Sequence, residues 1–227
     1  KRRTRRRLLK VLAGPGEPPE LAGLSRYGTL SPAEAGPLYT FVGRLTGQKG
    51  VDLLVAAAES LLRRRLPLQF LILGQGEPGF EERLIQLTRL PSGAGRLCVL
   101  VGFSGPAAKR VFAAGDFFLV PSEYEPCGLT DLYAQMMGSL PIVHAVGGLH
   151  KVIPERTGYA YVEHSTDALI AAIERSLAEF LDAASGQERM RREAFREVVG
   201  RYTWEKVLAE GYLPLYGDER RWNATSH

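Results

Sequence analysis

Arg44 and Lys49 lie in FVGRLTGQKG (41–50), where a strand-like run ends at Gly43 and a helix-like run begins near Gly50. Two cations beside a helix N-terminus suit a diphosphate: the helix end offers free N–H groups and the side chains add charge. The same spacing also fits two solvated cations on a loop. A carboxylate, Glu125, precedes Pro126, Cys127 and Gly128 in VPSEYEPCGLTDLY (120–133), just before another helix-like run. The amides of Gly128, Leu129 and Thr130 would open that helix, where the dipole favours an anion. Glu125 beside them could accept hydrogen bonds from a sugar hydroxyl. Gly147 and Gly148 form a pair without Cβ atoms, which lets backbone approach a ligand closely.

Other candidates carry less. Gly74, Gly76 and Gly79 spell G-x-G-x-x-G in LGQGEPG (73–79), but the pattern is weak alone. It also follows the second strand of its unit, whereas a dinucleotide fingerprint follows the first, so it reads as a close turn. Phe103, in VGFS, is open to two readings, core aromatic or platform for a nucleotide base. Cys127 reads as a buried thiol, since no histidine partners it in sequence. Trp204 reads as packing. His150 and His164 show no metal-ligand spacing, and neither a metal nor a cofactor is expected.

These residues need a scaffold, and the hydrophobic pattern supplies one. Strand-like runs at 38–43, 68–74, 96–102, 116–122 and 140–145 alternate with helix-like runs at 50–65, 81–90, 106–114 and 129–138. Helices follow at 165–183, 186–200 and 203–215. LQFLILG (68–74) is apolar throughout, as a strand buried on both faces should be. The alternation predicts an α/β fold, a Rossmann-like parallel sheet with helices on both faces. Ligands of such sheets bind at the carboxyl ends of the strands, where the loops bearing Arg44, Lys49, Phe103 and Glu125 fall.

Residues 1–10 hold seven Lys/Arg and no acid. Taken from a net charge of +4 over 227 residues, those seven leave −3 for residues 11–227. The basic balance belongs to one end, so nucleic acid is not expected as a partner of the fold. Seven cations in ten residues could still contact phosphates, yet no stacking aromatic is interleaved with them. That basic segment could form one helix, and residues 13–37, which carry five Gly and five Pro, read as a linker or a long surface loop. The chain therefore divides into a basic segment and linker (1–37), a Rossmann-like domain (38–200), which the resemblance described below implies to be nucleotide-sugar-binding, and a C-terminal helix and tail (201–227). Ordinary globular composition, with 45% hydrophobic and 24% charged residues, excludes disorder along the whole chain. Two cysteines exclude a disulfide scaffold. No apolar run approaches the ~18 residues of a membrane helix, so no membrane partner is expected.

VGRLTGQKGVDLL (42–54), PSEYEPCGLTDLY (121–133) and GSLPIVHAVGGL (138–149) together resemble the bacterial glycogen synthase and plant starch synthase family, and YTWEKVLAEGYLPLY (202–216) is similar too. The resemblance runs from about residue 38 to 216 and is most specific around 121–131. It implies one half of a GT-B fold and a retaining transfer of glucose from ADP-glucose, with UDP-glucose the alternative, to the non-reducing end of an α-1,4-glucan. Arg44 and Lys49 would then bind the donor's diphosphate and neutralise the leaving group, and Glu125 would hold a glucose hydroxyl. Cys127, Gly128, Leu129 and Thr130 would give amides to sugar and phosphate. Phe103 would lie against the base, and Gly147 and Gly148 would line the pocket. Only the donor-binding half is covered, so the partner implied is an N-terminal domain of the same enzyme. The chain alone should be catalytically incompetent. The location implied is a bacterial cytoplasm, with a plastid as the alternative. Three positions depart from the family: Val146 stands for a usual Thr, and Lys151-Val152 for a usual Asp-Thr. They favour an alternative, a non-catalytic nucleotide-sugar-binding or regulatory module with a degenerate site.

Overall fold

The computed structural model describes residues 2–14, 19–33, 36–182 and 186–216. Seven strands form one sheet in the order β1-β4-β3-β2-β5-β6-β7. They are β1 (Ser25–Leu30), β2 (Leu38–Val42), β3 (Gln69–Gly74), β4 (Arg96–Val101), β5 (Phe117–Val120), β6 (Leu140–His144) and β7 (Tyr159–Tyr161). All neighbours pair in parallel except β1, which runs antiparallel to β4 at one edge. The helices are α1 (Arg2–Ala13), α2 (Val51–Arg63), α3 (Pro78–Arg89), α4 (Gly105–Ala114), α5 (Leu129–Met136), α6 (Thr166–Leu181) and α7 (Gln187–Arg201). The last described stretch holds α8 (Trp204–Val207), a π turn (Leu208–Tyr212) and α9 (Leu213–Tyr216).

Strand side chains alternate between faces, and β3 shows the outcome. Phe70 and Ile72 join the core under α2, α3, α6 and α7, with Leu54, Leu61, Leu84, Leu169 and Ile173. Leu71 and Leu73 join the opposite core with Val111, Leu8, Leu9 and Leu12. Every residue of β3 is buried, which explains its unbroken apolar run. The α/β sheet read from the sequence is thus present, and its five long parallel strands fall where periodicity put them.

Two stretches differ from the sequence reading. The supposed linker contains β1, whose SRYGTL pairs residue by residue with β4. Gly28 of that strand has a φ of 73°, and a Cβ there would overlap Leu97 O, so glycine lets the edge strand close onto its neighbour. The basic start forms the one helix that the sequence allowed, α1; what differs is that it is packed into the fold and is not a separate segment. In α1 the leucines at 8, 9 and 12 are buried against α4 and the sheet. Arg5 Nη1 donates to Asp116 Oδ2 at 2.6 Å, and the same oxygen accepts from Leu38 N at 2.9 Å. Cations on the outer face cover an amphipathic helix docked on the domain. Arg5→Ala should lower stability by about 2 kcal/mol in denaturant unfolding, since it strips a half-buried pair of one partner. No change in the midpoint would show that α1 is held by its leucines alone.

Helix α3 starts at Pro78, three residues before the sequence reading placed it, because proline at the first helical position costs no hydrogen bond. Trp204 is 72% exposed, so it is not packing among the described residues. Of the C-terminal segment, residues 217–227 lie outside the described residues.

Candidate functional site

The sheet order fixes where a site can form. The chain runs outward from β2 through β3 to β4 on one side, then returns to place β5 on the other side of β2. The loops leaving β2 and β5 therefore face each other at a topological switch point, the usual ligand crevice of such sheets. The first loop carries Arg44 and Lys49, the second Glu125.

These loops are in contact. Lys49 Nζ donates to Glu125 Oε2 at 2.5 Å. Ser122 Oγ lies 3.3 Å from the same oxygen. Arg44 Nη2 donates to Gln48 Oε1 at 3.0 Å, and Gln48 Nε2 donates to Tyr124 O at 2.7 Å. Glu123 N donates back to Gln48 O at 3.0 Å. Gln48, overlooked by the sequence reading, thus ties the basic loop to the acidic one. Its signal was only its place inside the basic motif.

The glycine-rich turn 74–79 plays a structural part here. A Cβ on Gly74 would overlap Gly43 O, and one on Gly76 would overlap Leu45 O. The turn lies against the basic loop, with Gly47 N donating to Glu77 Oε1 at 3.3 Å. Gly74 and Gly76 are explained by backbone packing, whereas open space surrounds Gly79.

Glu125 leads into α5. Gly128 caps that helix in the left-handed conformation, φ 66° and ψ 57°, with no side-chain cap. Among the described residues no acceptor is paired with the amides of Gly128, Leu129 or Thr130. Free N–H groups at a helix start attract an anion. Gly147 and Gly148 sit directly behind this turn. A Cβ on Gly147 would overlap Glu125 O and one on Gly148 would overlap Cys127 O, while Gly148 N donates to Glu125 O at 2.8 Å. The close backbone approach this pair permits is to the Glu125–Cys127 loop. Cys127 itself is exposed, not the buried thiol expected: it is the backbone of residue 127 that packs, against Gly148. Phe103 is 85% exposed on the loop after β4, which removes the core reading and leaves its ring open to solvent.

Two further groups support the acidic loop. His144 closes β6 and is buried, with Nδ1 2.8 Å from Ser122 O and Nε2 3.0 Å from Val162 O. His164 packs on it with ring centres 4.8 Å apart and approaches Pro121 O at 3.1 Å. The histidines brace the loop backbone and form no metal site. Among the described residues no cluster of His, Cys, Asp and Glu is placed to hold a metal, and no helix is long and apolar enough to cross a membrane.

Asp131, in the first turn of α5, is fully buried. Its Oδ1 lies 3.0 Å from Lys151 Nζ and its Oδ2 accepts from Gln135 Nε2 at 3.2 Å. Burial pushes its carboxyl up to about 6, against the lowering effect of Lys151. The native carboxyl then holds its proton more tightly than the unfolded one. Its contribution to stability is complete below about pH 4 and is lost as pH rises through about 6. A carboxyl ¹³C titration should show a midpoint near 6, moved higher in Lys151→Met; an unmoved midpoint would contradict the pairing.

A doubly wound sheet with a cationic loop facing a carboxylate at its switch point is the architecture of a Rossmann-like glycosyltransferase domain. The family model described as glycosyl transferases group 1 matches residues 36–179, and the chain belongs to that family. It is 38% identical over 184 residues to glycogen synthase 1 of Bradyrhizobium diazoefficiens, covering 80% of this chain and 37% of that protein. It is 37% identical over 188 residues to glycogen synthase of Pseudomonas savastanoi, again covering 37% of it. The chain thus spans little more than a third of the curated relatives it matches. Among solved structures, the catalytic domain of starch synthase IV from Arabidopsis thaliana, bound to ADP and acarbose, aligns over 95% of this chain and 42% of its own, with a TM-score of 0.75 and 25% identity. The C-terminal domain of a group 1 glycosyl transferase from Francisella tularensis shares the fold over 86% of this chain and 98% of its own, with a TM-score of 0.60 and 16% identity. The architecture is that of one half of a GT-B fold.

Proposed function

We propose that the chain is the donor-binding half of a retaining glucosyltransferase. It would transfer glucose from ADP-glucose, in preference to UDP-glucose, to the non-reducing end of an α-1,4-glucan. The observation that carries this reading is the Lys49–Glu125 pair beside three amides unpaired among the described residues, at the point between β2 and β5 where the strand order reverses. The likeness to glycogen synthases and to an ADP-bound starch synthase supports the choice of donor.

The roles follow from the geometry. An ammonium has three donors. Glu125 occupies one on Lys49, and the others are free for phosphate oxygens. Arg44 stands on the same exposed loop and adds a second cation. Leaving of the nucleotide diphosphate builds negative charge on the phosphate. Fixed cations and amides already in place stabilise it, and one such donor can contribute about 2.7–4 kcal/mol. Glu125, held by Lys49, accepts a hydrogen bond from a hydroxyl of the glucose and orients the ring. Phe103 offers its face to the base. Acceptor binding and exclusion of water belong to the N-terminal domain, so the chain alone binds donor weakly and does not turn over.

Calorimetry with ADP, ADP-glucose, UDP and UDP-glucose tests the proposal. Binding at up to millimolar concentration, tighter for the adenine series, is expected. Silence with all four ligands would overturn it and leave the alternative of a degenerate module that no longer binds nucleotide sugars.

A further inference from the structure

Lys151 is one of the three positions that the resemblance marks as departures, and it is among the most fully bonded cations of the described residues. Its Nζ donates to Cys127 O at 2.7 Å, to Gly128 O at 2.7 Å and to Gly148 O at 2.8 Å. Three carbonyls use all three N–H groups of an ammonium. The fourth neighbour, Asp131 Oδ1 at 3.0 Å, is then a counter-charge and not an acceptor. The ammonium is largely enclosed, so these contacts act in a low dielectric.

The consequence lies in the peptide planes. No cis peptide occurs among the described residues, and in a trans peptide the C=O and the next N–H point in opposite directions. With Cys127 O and Gly128 O both turned to Lys151, the N–H groups of Gly128 and Leu129 turn away from it. The side chains of Cys127 and Leu129 are exposed on this turn. Two consecutive donors are therefore aligned, and one buried cation sets both. The left-handed conformation of Gly128 makes this orientation possible, and a Cβ there would press on Lys151 Nζ, Asp131 Oδ1 and Leu149.

We propose that Lys151 is a positioning residue of the donor site, holding the Gly128 and Leu129 amides toward the diphosphate of a nucleotide sugar while touching no ligand itself. The inference rests on the donor-site reading for its ligand. It makes the departure at 151 a working part of the site.

The test compares the unaltered chain with Lys151→Met and with the charge-free pair Lys151→Met/Asp131→Asn, which avoids stranding a buried carboxylate. Affinities for ADP and adenosine are measured by calorimetry below the melting temperature. Backbone order at Gly128 and Leu129 is followed by ¹⁵N relaxation without ligand. Both variants should bind ADP about tenfold more weakly and adenosine unchanged, with lowered order at these two amides. Equal weakening of ADP and adenosine, or none of either, would mean that Lys151 is merely structural. If the unaltered chain binds no ADP, the donor reading falls. Relaxation still decides the positioning role, because unchanged amide order in the charge-free pair overturns it.

Discussion

Lys49→Ala lowers the affinity of the chain for ADP by about 100-fold in calorimetry at low salt. Two effects combine. The substitution removes a charge-assisted donor to phosphate, about 1.5–3 kcal/mol by itself. It also strips Glu125 of the cation 2.5 Å away. Glu125 is only 8% exposed, so its charge is poorly screened and faces the diphosphate as repulsion. Together these reach about 2.7 kcal/mol, or two decades. Lys49→Ala/Glu125→Gln should therefore recover roughly tenfold of the loss, the non-additivity expected of partners in contact. An affinity within twofold of the unaltered chain in the single variant would remove Lys49 from the site. Full loss with no recovery in the pair would assign Glu125 no electrostatic part in it.

That coupling shows what a sequence can and cannot display. Each half of the site was visible alone: Lys49 before one helix, Glu125 before another. Their partnership was not, because 76 positions separate them. They meet only because β5 pairs with β2 and not with β4. Strands β3, β4 and β5 were legible since both faces are buried and the apolar run is unbroken. Strand β1 was not: SRYGTL buries only Leu30 fully, and an edge strand needs no more than that. Strand β7 is three residues long, too short for any period to register. Helix α1 could be read from the sequence, but its docking could not: seven cations in ten residues drew attention to charge, while the leucines at 8, 9 and 12 are what bury it against the domain.

Lys151 marks a different limit. By residue type it was a departure, and type alone signals disruption when lysine stands where an acid is usual. What the ammonium does depends on three carbonyls converging from two turns. That convergence follows from Gly147 and Gly148 lying against the Glu125–Cys127 loop. The glycine pair was read as a place where backbone approaches a ligand, and in the structure it is backbone that it approaches. Its partner was the neighbouring loop, which no local pattern names.

Gly50→Ala should cost about 2–5 kcal/mol and weaken nucleotide binding in the fraction that still folds. Gly50 has a φ of 67°, a conformation that costs an L residue about 1–2 kcal/mol. It works at two ends at once: its N–H donates to Gly47 O at 2.7 Å, and its C=O accepts from Leu54 N at 3.0 Å to start α2. A Cβ would overlap the carbonyl oxygen of Pro121, the residue that opens the loop to Glu125. Overpacking against backbone adds about 1–3 kcal/mol, since neither side can rotate away. Relief requires the loops to part, which separates Lys49 from Glu125. Stability and affinity should therefore fall together. Gly47→Ala is the matched control: its surroundings leave open space for a Cβ and its φ is not positive, so its unfolding midpoint should move by no more than about 0.5 kcal/mol. Equal midpoints for the two variants in denaturant unfolding would show that the loops do not rest on each other at Gly50. The site would then owe its shape to the Lys49–Glu125 pair alone.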